Sequence, residues 1–188
     1  TFNEVRDGTM VPATIVYKAD SNLNRPILFY GYGSYGINIE ARFRETILPL
    51  INKGFIFVYL NIRGGAEMGK EWYEQGRMLN KMNSFYDFND SVEAILNKGY
   101  GDKNNVFAQG GSAGGLLMGA IVNLKPELYK GIISRVPFVD VLTTMSDESI
   151  PLTTFEYDEW GNPNNYEEYM YMKKYSPYDN IDYLNYPN

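Results

Sequence analysis

The sequence predicts an α/β protein built on a mostly parallel, doubly wound sheet. Four short apolar segments, at residues 26–32, 55–61, 106–110 and 131–136, have the length and composition of buried strands. Segments with helical character lie between them, so strand and helix alternate along the chain. This alternation is typical of parallel sheets, because a crossover helix is needed to reach each parallel strand.

The composition is that of a soluble globular domain. The chain has 188 residues, of which 44% are hydrophobic and 21% charged, enough for one domain with a substantial core. The longest apolar run, residues 116–122, is too short to span a bilayer, and the first residues show no signal peptide. There is no cysteine, which excludes disulfides and thiolate chemistry. We therefore expect a cytoplasmic protein that does not bind membranes.

The sequence also contains no histidine. This excludes the usual zinc sites and a self-contained Ser-His-Asp triad, and we expect neither a metal nor a cofactor. The net charge is −6, and residues 140–188 carry ten acidic against two basic side chains. An acidic last quarter disfavours nucleic acid and favours cationic ligands. A solvated acidic face would explain the same charge.

Local turn and helix signals predict a hairpin and two helices in the first hundred residues. A turn at Asp7-Gly8 predicts a hairpin whose second strand is residues 11–18, followed by a polar connection at residues 20–25. A helix is predicted over residues 42–53. Another is predicted to begin at Asn83-Ser84 and to stop at Gly99.

A glycine-rich run, residues 31–36, matches the G-x-G-x-x-G pattern directly after a predicted strand. In a dinucleotide-binding protein the next strand would end in an acidic residue and the helix would begin at the glycines. Here that strand leads into Asn61-Ile62-Arg63, and the helical pattern begins near Arg42. A nucleotide site is therefore an alternative that the neighbouring sequence weakens.

Gly110-x-Ser112-x-Gly114 has the spacing of a nucleophile elbow, in which a serine sits on a tight turn between a strand and a helix. A strand-like run precedes it, and a small, apolar helix is predicted over residues 113–123. Glycines on both sides leave room for strand and helix to approach each other. The rival interpretation is an ordinary Gly/Ser-rich loop with Ser112 as a helix cap.

The last quarter of the sequence is less regular. A short helix is predicted over residues 139–148, followed by a long polar and aromatic loop over residues 150–163. Asn164 is predicted to cap a further helix through Lys174, with Glu167 in the reciprocal position.

Taken together, these motifs resemble the catalytic domain of the prolyl oligopeptidase family. The resemblance is carried by Tyr30-Gly31-Tyr32-Gly33-Ser34-Tyr35-Gly36, Asn61-Ile62-Arg63-Gly64-Gly65, Gly110-Gly111-Ser112-Ala113-Gly114-Gly115 and Ser176-Pro177-Tyr178-Asp179-Asn180. Residues 150–163, with Glu156-Tyr157-Asp158-Glu159-Trp160-Gly161-Asn162-Pro163, look like the oligopeptidase B (protease II) branch. The match covers nearly the whole chain in unbroken order. It implies an α/β-hydrolase fold and a serine endopeptidase that cleaves short basic peptides after Lys or Arg.

The resemblance also implies site residues. Ser112 corresponds to the nucleophile, and the oxyanion hole would be formed by the Tyr32 hydroxyl and the Ala113 backbone N–H. Glu156 and Asp158 correspond to the acidic pair that holds the basic side chain before the scissile bond. A packed aromatic side chain at Tyr32 and an exposed acidic loop at Glu156 and Asp158 are the structural alternatives.

Two departures from the family pattern limit what is expected. A second acidic pair, which favours another basic substrate residue in the family, corresponds to Glu40 and Arg42, so one carboxylate is replaced by a cation. We also expect a partial catalytic domain over residues 1–188, without the family's β-propeller or its last strands. By the resemblance, the catalytic Asp and His would lie on loops after those last two strands, beyond Ser176-Pro177-Tyr178-Asp179-Asn180.

From this we predict that the isolated chain is inactive or nearly so. A complementary segment carrying Asp and His is a candidate partner, and a non-catalytic remnant acting as a binding or assembly module is the alternative. The strand at residues 131–136 would be an unpaired edge, which predicts poor solubility or association of the isolated chain.

Overall fold

The computed structural model describes residues 1–19 and 22–187, so the polar connection predicted for residues 20–25 begins outside the described residues. The strands are β1 (Phe2–Glu4), β2 (Met10–Val16), β3 (Ile27–Tyr30), β4 (Ile56–Leu60), β5 (Val106–Gly111) and β6 (Gly131–Arg135). The helices are α1 (Leu48–Asn52), α2 (Lys70–Glu74), α3 (Met82–Asn97), α4 (Ala113–Leu124), α5 (Val141–Ser146), α6 (Tyr157–Trp160) and α7 (Tyr166–Tyr175). Short 3-10 turns lie at Glu45–Ile47, Met78–Asn80, Pro126–Leu128, Thr153–Glu156 and Tyr178–Asn180.

The described strands form one sheet in the order β1-β2-β4-β3-β5-β6. Strands β4, β3, β5 and β6 are parallel to one another, whereas β2 pairs antiparallel with β4 and β1 pairs antiparallel with β2. Strand β3 lies between β4 and β5, so these two consecutive strands are not adjacent in the sheet. The predicted mostly parallel, doubly wound sheet is confirmed, and within the described residues β6 lies at its edge.

Helices cover both faces of the sheet. Ile27 and Phe29 on β3 belong to a large core that also takes buried side chains from α3 and α4. Leu28, between them, points to the opposite face and joins a smaller cluster against α1. Because side chains alternate along a strand, an apolar residue at every position of β3 is the expected pattern for a strand buried on both faces.

The parallel register brings two glycine-rich segments together at the carboxyl ends of the strands. Tyr30 at the end of β3 lies opposite Gln109 in β5. The Tyr32 loop, defined here as residues 31–36, and the turn at Ser112 therefore leave the carboxyl ends of neighbouring strands. Open α/β sheets bind their ligands outside these carboxyl ends.

The predicted hairpin at the N-terminus is present, and one buried arginine connects it to the rest of the fold. Arg63 is 4% exposed and pairs with Asp87 on α3, with 2.8 Å between Arg63 Nε and Asp87 Oδ2. Its Nη1 also lies 2.8 Å from Asp7 Oδ2 in the hairpin turn. One guanidinium thus joins the hairpin, the loop after β4 and α3.

The helix predicted over residues 42–53 is wrong in its first half. The chain is irregular through Arg44, a 3-10 turn covers Glu45–Ile47, and α1 begins only at Leu48. Pro49 lies in the first turn of α1, where its missing N–H costs nothing. In a helix that began at residue 42 the same proline would remove an interior hydrogen bond.

Three other predicted boundaries are also wrong. Helix α3 begins at Met82, one residue before the predicted start, and Ser84 is interior to it, donating its hydroxyl to the Arg63 carbonyl oxygen (2.7 Å). The cap of α7 is Asn165, whose side chain accepts from the Glu167 N–H at 3.0 Å, and not Asn164.

The third wrong prediction is the loop over residues 150–163. Part of this stretch forms a 3-10 turn followed by α6.

In the described part of the chain, no helix combines the length and the apolar composition that crossing a bilayer requires.

Candidate active site

Ser112 occupies a strained backbone conformation between β5 and α4. Its φ is 56° and its ψ is −118°, a region that L-residues rarely adopt, and its side chain is exposed. The Ser112 N–H donates to the Arg135 carbonyl oxygen (2.9 Å), and the Ser112 carbonyl oxygen accepts from the Phe138 N–H (3.2 Å). The end of β6 and the residues after it therefore hold the strained turn in place.

The glycines around Ser112 are required by close approach of backbones. A Cβ added at Gly110 would lie 2.1 Å from the Gly114 carbonyl oxygen, and one added at Gly115 would lie 2.5 Å from Pro137 Cα. No side chain fits at such distances without moving the backbone. The strand–turn–helix context that distinguishes a nucleophile elbow from a Gly/Ser-rich loop is present.

Two potential hydrogen-bond donors face the region of Ser112. Ala113 is the first residue of α4, so its N–H has no acceptor within the helix. The Tyr32 hydroxyl interacts with the Ser112 side chain. Burial raises the pKa of Tyr32, and the hydrogen bond with Ser112 opposes this rise. Tyr32 therefore carries its proton at neutral pH and can act as a donor.

A pocket of about 210 Å³ opens beside Ser112. This is smaller than the roughly 300 Å³ at the lower end for drug-sized ligands, and it suits a single side chain. Glu156 is the one charged side chain among the described residues that line it. The lining residues are Tyr35, Ser112, Ala113, Phe138, Thr144, Met145, Ile150, Pro151, Leu152, Thr153, Glu156 and Trp160.

Glu156 is held in the pocket through one of its two oxygens. The Tyr35 hydroxyl donates to Glu156 Oε2 at 2.6 Å, and the Trp160 indole N–H donates to the same oxygen at 3.0 Å. Within residues 1–19 and 22–187, Glu156 Oε1 accepts no hydrogen bond. A fixed carboxylate with one free oxygen beside apolar walls can accept a charge-assisted hydrogen bond from an ammonium or guanidinium group.

The other two predicted substrate-binding carboxylates lie outside this pocket. Asp158 is exposed, and the described contact at this residue is made by its backbone carbonyl oxygen, which accepts from Arg77 Nη1 at 2.6 Å. Glu40 is exposed and forms an ion pair with Arg42, with 2.7 Å between Glu40 Oε2 and Arg42 Nε. The hydrogen bond from Arg42 lowers the pKa of Glu40. The structure thus brings together Ser112, Tyr32, Ala113 and Glu156 but leaves Glu40 and Asp158 apart from them.

Glu159, which sequence reasoning did not single out, is the buried carboxylate of this region. It is 4% exposed and accepts from the Tyr35 N–H at 2.9 Å and from the Tyr73 hydroxyl at 2.6 Å. Glu159 therefore ties the Glu156 segment, defined here as residues 150–160, to the Tyr32 loop and to α2.

Sequence reasoning also missed the aromatic walls of the pocket. The Trp160 ring contacts Tyr35 edge-on, with centroids 5.5 Å apart, and Phe138, with centroids 5.3 Å apart. The three residues come from three separate segments, so no periodic pattern groups them. The available signal was the presence of Tyr35 and Trp160 inside motifs already selected for other residues.

Comparison with known proteins agrees with this geometry. The model of the prolyl oligopeptidase family matches residues 41–188. Protease 2 of Moraxella lacunata is 52% identical over 185 residues, which are 97% of this chain. Dipeptidyl aminopeptidase BI of Pseudoxanthomonas mexicana is 50% identical over the same length. The structure of oligopeptidase B from Trypanosoma brucei with covalently bound antipain superposes with a TM-score of 0.97 at 46% identity, covering 100% of this chain.

The chain spans 27% and 26% of the length of these two sequence relatives and 27% of the Trypanosoma structure. The matching portion contains the strained serine turn, the Tyr32 loop and the pocket described above. With a family model that covers most of its length and a fold shared with oligopeptidase B, the chain belongs to the prolyl oligopeptidase family.

Proposed function

We propose that this chain forms the nucleophile-bearing part of a serine endopeptidase of the oligopeptidase B type, which cleaves short peptides after Lys or Arg. The observation that carries the proposal is the exposed Ser112 on a strained turn, opening onto a pocket with Glu156 as its charged lining residue. The proposed nucleophile and the proposed site for a basic side chain therefore line the same pocket.

In the proposed reaction, Ser112 Oγ attacks the carbonyl carbon of the scissile peptide. The oxyanion that forms accepts hydrogen bonds from the Tyr32 hydroxyl and the Ala113 N–H. Loss of the amine leaves an acyl-enzyme on Ser112, and water then releases the acid. The substrate's Lys or Arg side chain enters the pocket and donates to Glu156.

The reaction needs a base to take the Ser112 proton, and residues 1–188 contain no histidine. A serine hydroxyl without a base is a weak nucleophile. We therefore propose that residues 1–188 alone are inactive or nearly so, and that a further segment supplies Asp and His. The absence of histidine equally favours a second candidate, a non-catalytic remnant that acts as a binding or assembly module.

The test is labelling by a fluorophosphonate probe, followed by intact-mass analysis. Such probes react with activated serines. We expect stoichiometric labelling of the complete polypeptide in which residues 1–188 occur, no labelling of its Ser112→Ala variant, and little labelling of residues 1–188 alone.

Labelling of residues 1–188 at the rate of the complete polypeptide would contradict the missing base. No labelling of the complete polypeptide would favour the non-catalytic module. Specificity is tested separately with arginyl and norleucyl amide substrates, which differ chiefly in charge. Equal kcat/KM for the two would contradict the proposed preference for basic residues.

A further inference from the structure

Lys81, the residue directly before α3, carries a buried charge whose purpose is not explained by the proposed reaction. It is 1% exposed, and its Nζ donates to the Gly33 carbonyl oxygen at 2.5 Å, to Ser34 Oγ at 2.9 Å and to the Gly76 carbonyl oxygen at 3.2 Å. All three acceptors are uncharged. Burying an ammonium ion without a paired carboxylate is costly, whereas an apolar side chain of similar length would fill the same space.

The position of this charge relates it to the site. Two of its three acceptors belong to the Tyr32 loop, in the two residues directly after Tyr32. Nζ also lies 5.2 Å from the ring centroid of Trp160, which lines the pocket. An ammonium at this distance from an aromatic face is attracted to it. One buried group therefore contacts both the loop that carries Tyr32 and the wall of the pocket.

We propose that Lys81 is a positioning residue: its ammonium ion fixes residues 33–34 and thereby holds the Tyr32 hydroxyl where it donates to the developing oxyanion. The inference rests on the proposed function, in which Tyr32 is an oxyanion donor. Lys81 does not act as the missing base, because its described hydrogen bonds go to residues 33, 34 and 76 and none goes to Ser112.

The protonation state of Lys81 matters for this role. An ammonium group has three N–H donors, which matches its three acceptors, whereas a neutral amine has two and places a lone pair against the third oxygen. Burial lowers the pKa of Lys81 to about 8, while the negative charge of Glu159 opposes the decrease. Deprotonation therefore breaks one of the three contacts within an accessible range of pH.

The tyrosine hydroxyls of the surrounding elements stay protonated where Lys81 loses its proton, because their pKa values are raised. Burial raises the pKa of Tyr73 on α2 and of Tyr175 on α7, so both hydroxyls stay neutral. Burial is also the main reason why the pKa of Tyr35, in the Tyr32 loop, is raised. On the α3 side, Arg63 and Asp87 are paired with each other, and Glu159 on α6 accepts from Tyr35 and Tyr73.

The experiment compares three forms of the complete polypeptide: the unmodified protein, Lys81→Met and Lys98→Met. Lys98 is a matched control, because its Nζ also donates to three oxygens, Thr1 Oγ1, the Phe2 carbonyl and Asn3 Oδ1, but at the N-terminal strand. The rate of fluorophosphonate labelling is measured from pH 6 to about 10, spanning the expected transition. Amide hydrogen exchange of the Tyr32 loop is measured alongside.

We expect labelling of the unmodified protein to fall through about pH 8, the pKa of Lys81. Lys81→Met should label about 10- to 100-fold more slowly, because a misplaced donor weakens stabilisation of the transition state, and should lack this transition. With an arginyl substrate, kcat should fall by a larger factor than KM changes, since the hydrogen bonds of Lys81 go to residues 33 and 34 and not to Glu156. Lys98→Met should keep both the rate and the transition.

Ser34→Ala provides a second variant if Lys81→Met does not fold. It removes one acceptor, and we expect a smaller loss of rate with the transition moved in pH. Unchanged labelling and unchanged exchange of residues 33–34 in Lys81→Met, or in Ser34→Ala if Lys81→Met does not fold, would overturn the inference. If no form labels at all, the proposed function fails, and hydrogen exchange alone still decides whether Lys81 holds the loop.

Discussion

The turn at Ser112 and the Glu156 segment lie side by side but are held in place by different kinds of contact. The turn depends on backbone groups, with glycines where a Cβ would lie 2.1 to 2.5 Å from a neighbouring backbone atom at Gly110 and Gly115. The pocket depends on side chains, with Glu156 fixed by Tyr35 and Trp160 from separate segments. A change in the turn should therefore affect every reaction of Ser112, whereas a change confined to the Glu156 carboxylate should affect mainly the choice of substrate.

The largest expected effect is that of Gly110→Ala. The added Cβ would lie 2.1 Å from the Gly114 carbonyl oxygen, so β5 and α4 would have to separate. We expect complete loss of fluorophosphonate labelling and a lower melting temperature. Gly8→Ala is the control, because a Cβ at that glycine meets no atom within 4 Å. It is strained by its φ of 82° but lies at the hairpin turn, and labelling should persist.

Tyr32→Phe should have the next largest effect and tests whether the site acts through this hydroxyl. Loss of one oxyanion donor typically lowers kcat by about 10²- to 10³-fold. We expect a decrease of that order for arginyl and norleucyl substrates alike, with little change in KM and a normal circular dichroism spectrum. A decrease confined to the arginyl substrate would place Tyr32 in the pocket rather than in the oxyanion hole.

Glu156→Gln should affect substrate choice alone and so defines the other side of the comparison. A charge-assisted hydrogen bond contributes about 1.5 to 3 kcal/mol, so kcat/KM for the arginyl substrate should fall by roughly 10- to 100-fold. The norleucyl substrate should be cleaved as before. Asp158→Asn is the matched change at an exposed carboxylate, and a loss as large as that of Glu156→Gln would show that Asp158 also receives the substrate.

The smallest effect is expected for Glu40→Gln. Glu40 is exposed and paired with Arg42, so its charge is already offset, and solvent screens the interactions of such an exposed carboxylate. We expect kcat/KM for a substrate with two consecutive arginines to change by less than about twofold. A tenfold loss with this substrate, absent with a single arginine, would make Glu40 a second recognition site.

The same contrast explains what the sequence alone could predict. The parallel sheet and the serine turn were predicted correctly because apolar strands such as β3 and the Gly110–Gly114 spacing are local patterns. For the pocket, the sequence predicted acidic side chains but not the aromatic walls. Tyr35, Phe138 and Trp160 meet through tertiary packing, which no local period encodes. The late start of α1 was missed because the helical pattern was given more weight than Pro49.

Glu159 was missed for a related reason. In the sequence it is one of three acidic residues in the stretch 156–159, and nothing local shows which of them is buried. The structure selects it because only Glu159 meets two donors from other segments, the Tyr35 N–H and the Tyr73 hydroxyl. A buried carboxylate needs such partners, and only the tertiary fold shows where they are.

The contacts of Glu159 bear on how substrate preference could be re-engineered in this scaffold. The Glu156 segment looks like an exchangeable insert, yet Glu156 and Glu159 take three hydrogen bonds from Tyr35 and Tyr73 outside it. A segment transplanted from a relative without acceptors at these two positions would leave those donors unpaired within the protein. Specificity and the geometry of the Tyr32 loop are therefore inherited together, and a successful transplant must move both.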